Sequence, residues 1–172
     1  MTKSLLLTSF ATWRAYQKSN SSDDLLLETL KTRSLPMSLH LLRQLPVNLP
    51  VAQGMTIAKL EKFQPHGIIC CGMAESRTQL TVESRAVVRN HVLHTTINLE
   101  NLIAGLSITE ISQDAGRFVC NSLYYAMLNH LQQHDPDKRC LFVHVPVLTP
   151  NNREAIVADF RSILKRVTST ES

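Results

Sequence analysis

Short apolar runs alternate along the chain with stretches of helical periodicity, strand after helix from one end to the other. "SLLLTSF", Ser4 to Phe10, is apolar and ends at a polar, loop-like segment, which predicts a buried first strand. "NSSDDLLLETLKTRS" follows with cap candidates Ser21 and Ser22, acids Asp23 and Asp24 in the first turn, and apolar residues at helical spacing. The pattern repeats with the strand "LHLLRQLPV" and then "NLPVAQGMTIAKLEKFQ", where Val51, Met55, Ile57, Leu60 and Phe63 mark the apolar stripe of a helix. "GIICCGM" lacks polar alternation, as expected of a central strand covered on both faces.

"TQLTVESRAVV" alternates enough for a strand or hairpin, no element is assigned from His91 to Gly105, and "SITEISQ" predicts a further strand. The strongest helical signal is "RFVCNSLYYAMLNHLQQH", with Phe118, Leu123, Met127 and Leu131 near one stripe. The chain closes with the strand "CLFVHVPVL", the helix "REAIVADFRSILKRV" capped by Asn151 or Asn152, and a Ser/Thr-rich tail after Val167 expected to fray. Such alternation predicts one α/β domain over residues 1–172, a mostly parallel sheet with helices on both faces.

Composition agrees: 172 residues, 44% hydrophobic and 19% charged, suffice for one well-buried core. Lys+Arg number 18 against Asp+Glu 14, a net charge of +4 scattered without a basic tract, so no nucleic-acid partner is expected. The apolar stretch after Lys3 is too short for a secretory signal and no run approaches a membrane span, so a cytoplasmic protein without a membrane partner is expected. Cys70, Cys71, Cys120 and Cys140 form no C-x-x-C pair and read as reduced thiols. "NSS" at Asn20 matches a glycosylation acceptor but is better read as a helix cap.

In an open α/β sheet, ligands collect where strands end at their carboxyl edges and helices begin. That rule selects the loop Phe10 to Trp13, the loop Met73 to Arg77, the Ala115-Gly116 turn and the end of "LFVHVP". Cys120 falls in the first turn of its helix, where unpaired N–H groups and the positive dipole end favour a thiolate and lower the thiol pKa. His144 is the candidate base, later the acid toward a leaving amine, and Glu83, closing "LTVE", is the carboxylate to orient it. Taken singly, each has a plainer reading: a buried thiol, a structural histidine, a solvated glutamate. Spacing alone leaves the two readings balanced. A metal or redox site at Cys70, Cys71 or His91-x-x-His94 is disfavoured, because adjacent strand residues face opposite ways and paired surface histidines are common.

"DAGRFVCNSLYYAML" and "FVHVP" resemble the nucleophile and histidine motifs of the pyroglutamyl peptidase I (pyrrolidone-carboxylate peptidase) family of cysteine peptidases. Ala115, Gly116, Phe118, Cys120, Asn121, Tyr124 and Tyr125 match the first motif, and Phe142, His144 and Pro146 the second. "FQPHGIICCGMAESRTQLTVESRAV" is similar to a further family block through Gly72, Ala74, Arg77, Glu83 and Ala86. "LLLTSF" resembles the opening block, and Pro46 of "QLPV" a second-strand element. The resemblance implies a three-layer α/β/α sandwich, with Cys120 as nucleophile, His144 as base and Glu83 as orienting acid. It implies hydrolysis of an N-terminal pyroglutamyl residue from a peptide substrate, with no metal or cofactor and possible homo-oligomers. Phe10, Trp13, Phe118 and Val119 carry over as substrate-binding residues, Trp13 by position.

The likeness has departures. The family's opening loop G-F-x-P-F-G-G is here "SFATWRA", Met73 stands where Gln or Leu is common, and E-R-x-A becomes "ESRA". Between Glu83 and Ala115 the segment is shorter and lacks the family's D-A-R-I-P-D-N-x-G loop. These changes keep open an alternative, a protein of the same fold that binds a cyclic-amide ligand or a partner without hydrolysis.

Overall fold

The computed structural model describes residues 2–31 and 35–169. In chain order the elements are β1 (Ser4–Phe10), α1 (Ser21–Lys31), β2 (Ser38–Leu45), α2 (Leu49–Phe63), β3 (Gly67–Met73), β4 (Leu80–Glu83), β5 (Arg85–Val88), β6 (His91–His94), α3 (Leu99–Ile103), β7 (Thr109–Ser112), α4 (Val119–His134), β8 (Arg139–Val145) and α5 (Arg153–Ser169). Six strands form one sheet in the order β2-β1-β3-β8-β4-β7. β2, β1, β3 and β8 run parallel, whereas β4 pairs antiparallel with β8 and parallel with β7. β5 and β6 form a separate antiparallel hairpin.

Side-chain alternation divides the core between the two faces of the sheet. Leu5, Leu7, Ile69, Cys71, Leu141, Val143 and Val145 join an aliphatic cluster with residues of α1, α3 and α5. Leu6, Ile68, Cys70, Cys140 and Phe142 face the other way, toward Ala52 and Leu60 of α2 and Leu123, Tyr124 and Met127 of α4. β3 is buried along its whole length, as its apolar run predicts.

Three local expectations change. On α2 the buried positions are Ala52, Thr56 and Leu60, four residues apart on one face, while Val51 and Met55 are exposed. At α1 the cap is Asn20, as the reading of "NSS" has it, and not the other candidates Ser21 and Ser22: its side-chain oxygen accepts from Ser22 N at 3.0 Å, and its carbonyl accepts from Asp23 N and Asp24 N. At the last helix, Asn152 folds back on the preceding loop, accepting from Thr149 N at 2.8 Å and donating to Val147 O at 3.1 Å. That helix continues through Ser169, past the point where fraying is expected, and the tail beyond it lies outside the described residues. "TQLTVESRAVV" divides between two structures, β4 in the main sheet and β5 in the hairpin. His91 and His94, three apart on β6, face opposite sides of their strand.

Candidate active site

Strand register brings the chemistry together. Gly72 of β3 pairs with His144 of the parallel strand β8, so both lie on the α4 side of the sheet with Phe142 two residues earlier. On the other flank of β8, Thr81 pairs with His144 and Glu83 with Phe142, which puts the Glu83 carboxyl on the same face. The motif order predicts Glu83 at a carboxyl edge like that of His144. The structure instead delivers it on a strand running the opposite way, so the acid sits level with Phe142 and reaches His144 diagonally.

Glu83 is fully buried, and its Oε1 lies 2.7 Å from His144 Nδ1. The same oxygen accepts from Arg77 Nη1 at 2.6 Å and from Thr81 Oγ1 at 3.4 Å. Arg77 also donates to Thr81 Oγ1, and its Nη2 donates to Asp114 O at 2.7 Å. A buried carboxylate needs compensating charge and donors, and one guanidinium supplies both while anchoring the loop that leads to Cys120. Tyr124 of α4 donates to Glu83 O at 2.9 Å, which fixes the helix to the backbone of the acid. With Nδ1 committed to Glu83, Nε2 is the ring nitrogen of His144 left for chemistry. The imidazole rests against Phe142, ring centroids 4.8 Å apart.

Cys120 is the second residue of α4, in the first turn as expected. Phe118, in extended conformation before the helix, makes no side-chain cap, so the N–H groups of the first turn are left for another acceptor. The sulfur lies over Gly72: a Cβ added to that glycine would stand 2.6 Å from Cys120 Sγ and 2.9 Å from Phe142 Cζ. Gly72 is therefore a packing requirement, and its register partner on the neighbouring strand is His144. No hydrogen bond joins the sulfur to the imidazole among the described residues. The expected low thiol pKa is reversed here. Burial pushes Cys120 up to about 12, the charges of Cys70 and Glu83 act in the same direction, and only its own backbone N–H pulls down.

The four predicted substrate-binding residues have different settings. Phe10, at 1% exposure, is part of the core between the sheet and α2 and α4, and Val119 packs partly buried against the same cluster. Trp13 is 43% exposed and Phe118 84% exposed. The opening loop is organised by Gln17, whose Oε1 accepts from Trp13 N and Arg14 N, and is tied to the loop after β3 by Tyr16 and Gln17 donating to Glu75. Arg77 and Asn121 matched family motif positions in the sequence without a role. Asn121 accepts from Val87 N at 2.9 Å and donates to Val87 O at 2.7 Å, holding the hairpin against the start of α4.

A thiol at a helix start, a histidine bonded to a buried carboxylate, and a mostly parallel sheet beneath them form an arrangement of the kind that cysteine hydrolases use. Comparison with known proteins gives this class a family likeness. Residues 95–161 match the family model described as pyroglutamyl peptidase. Pyrrolidone-carboxylate peptidases of Bacillus thuringiensis (strain Al Hakam) and Bacillus mycoides (strain KBAB4) are 29% and 30% identical to it, each over 52% of this chain and 54% of their own. The chain thus matches about half the length of these curated relatives. Pyroglutamyl peptidase I of Bacillus amyloliquefaciens superposes with a TM-score of 0.86 at 20% identity, covering 98% of both chains. Pyrrolidone carboxyl peptidase of Thermococcus litoralis gives 0.84 at 19% identity over 97% of this chain and 94% of its own. The chain has the pyroglutamyl peptidase I fold and resembles that family in sequence. Among the described residues no helix is long and apolar enough to cross a membrane.

Proposed function

We propose that this protein is a cysteine peptidase that removes an N-terminal pyroglutamyl residue from peptides. The observation that carries this reading is the placement of the Cys120 sulfur on bare Gly72, the register partner of a histidine bonded to buried Glu83. His144 Nε2 takes the Cys120 proton as sulfur bonds to the pyroglutamyl carbonyl carbon, and the uncapped N–H groups of α4 face the oxygen that gains charge. The tetrahedral adduct collapses as His144 returns the proton to the departing amine, leaving a thioester. Water, losing a proton to the same imidazole, releases pyroglutamate and restores the thiol. Glu83 holds the ring and balances the imidazolium in both halves, and Arg77 and Thr81 hold Glu83. Burial raises the Cys120 thiol, which favours proton transfer to His144 in step with attack. Trp13 and Phe118, the exposed aromatics of the carried-over set, are assigned to the rim over the ring, and Phe10 and Val119 to the packing behind it.

The raised Cys120 thiol favours a second reading, binding of a cyclic-amide ligand without hydrolysis. One experiment separates the two. Release of a fluorophore from a pyroglutamyl amide is expected from the wild-type protein, with a loss of about 10⁴-fold or more in Cys120→Ala at unchanged melting temperature. Saturable binding with no release above background would replace the first reading with the second.

A further inference from the structure

A cleft of about 580 Å³ opens beside the start of α4, between the β5–β6 hairpin and the loop from Gln113 to Arg117. Its lining includes Asn121, the chain neighbour of Cys120, and Gly116 and Arg117 of the turn that leads into α4. Three guanidinium groups, Arg85, Arg89 and Arg117, line it against a single carboxylate, Asp114. Asp114 Oδ1 already accepts from Gly116 N at 2.9 Å. Arg85 donates Nε to Gln113 O at 2.9 Å, a neutral acceptor that leaves its charge uncompensated. Neither Arg89 nor Arg117 takes part in a hydrogen bond or ion pair among the described residues, and both are exposed. Arg89 stands at the hairpin turn with φ of 55°, a conformation that aims the turn rather than extends the strand.

A positive cleft cannot serve the pyroglutamyl ring, which is neutral. Nothing precedes that ring in an N-terminally blocked peptide, so every other part of the substrate lies on the leaving side. We propose that this arginine-lined cleft is the subsite for the leaving peptide and selects substrates that carry a carboxylate just beyond the scissile bond. The inference rests on the proposed hydrolysis for its direction, while the preference for negative charge follows from the cleft. Guanidinium groups suit carboxylates because paired N–H donors match two oxygens. The carboxylate comes either from an acidic side chain or from the free terminus of a short peptide.

Three peptides separate these sources: pyroglutamyl-glutamate amide, pyroglutamyl-alanine with a free terminus, and neutral pyroglutamyl-glutamine amide. At low salt, kcat/KM for one or both acidic peptides is expected to exceed that for the neutral one by about fivefold, the scale of exposed ion pairs, and to converge with it at high salt. In the Arg89→Ala/Arg117→Ala double variant the acidic-to-neutral ratio falls toward one, and Lys at both positions, which returns the charge without the paired donors, restores part of it. Equal rates for all three peptides, or a ratio unmoved by the double variant, overturns the subsite. If no pyroglutamyl peptide is cleaved, the hydrolase reading fails by itself. The cleft is then decided by calorimetric titration of Cys120→Ala with the glutamate and glutamine amides. Tighter binding of the glutamate peptide that the double variant abolishes sustains it, and equal binding overturns it.

Discussion

The two faces of the central sheet obey the same alternation yet hold different chemistry. Toward α1, α3 and α5 the strands present leucine, isoleucine and valine with one thiol, Cys71. Toward α2 and α4 they present Cys70 and Phe142, and among them the Gly72 gap, His144 and Glu83. A one-residue shift of any strand would exchange these sets, so the core that fixes register on the aliphatic face also aligns the polar groups on the other. The reactive face depends on single atoms, because one arginine, one glycine and one tyrosine hydroxyl define where the carboxylate, sulfur and helix sit.

The largest test of this contrast is Arg77→Met. It leaves Glu83 buried without its guanidinium and should cost about 2 to 3 kcal/mol in urea unfolding, below the 3–5 of a fully buried pair because Arg77 is 24% exposed. Turnover should fall about 10- to 100-fold, with Arg77→Lys recovering part of it. An unchanged rate would remove Arg77 from the positioning of His144. Next is Gly72→Ala, whose methyl meets Sγ and the Phe142 ring. A cost of about 1 to 3 kcal/mol is expected with a larger loss in kcat than in KM, whereas Cys71→Ala on the opposite face should lower the melting temperature without that kinetic change. Equal kinetics for the two variants would erase the distinction between the faces.

The smallest effect is on pH. Burial raises Cys70 from its ordinary 9.0 to about 12, and Cys120 shows the same direction and size. Folded values above unfolded ones mean that these thiols contribute fully below about pH 9, and that the contribution drains away as pH climbs toward 12. Melting temperature should fall across that window, less steeply in Cys70→Ala, and alkylation of Cys120 should rise about tenfold per pH unit. An alkylation rate already maximal at pH 7 would contradict a thiol held neutral by enclosure.

Much of this was legible in the residues. "GIICCGM" announced a strand covered on both sides, and adjacent Cys70 and Cys71 do point to opposite faces. The position of Cys120 in a first turn followed from helical spacing. Its acidity did not, because the sulfur's enclosure depends on Gly72, far away in sequence. Phe118 looked like the first member of the α4 stripe, but it precedes the helix in extended backbone and projects outward. The part played by Arg77 was hidden as well. It needs β4 to insert antiparallel beside β8, and local periodicity carries no information about which strand becomes whose neighbour.

The carboxamide of Asn121 has one more consequence. By occupying both the amide and the carbonyl of Val87, it completes a rung on the outer edge of a two-stranded ribbon whose backbone would otherwise be open there. The residue after Cys120 thus also denies a foreign strand its template, and Asn121→Ala would make this exposed hairpin a seed for intermolecular β-pairing and aggregation.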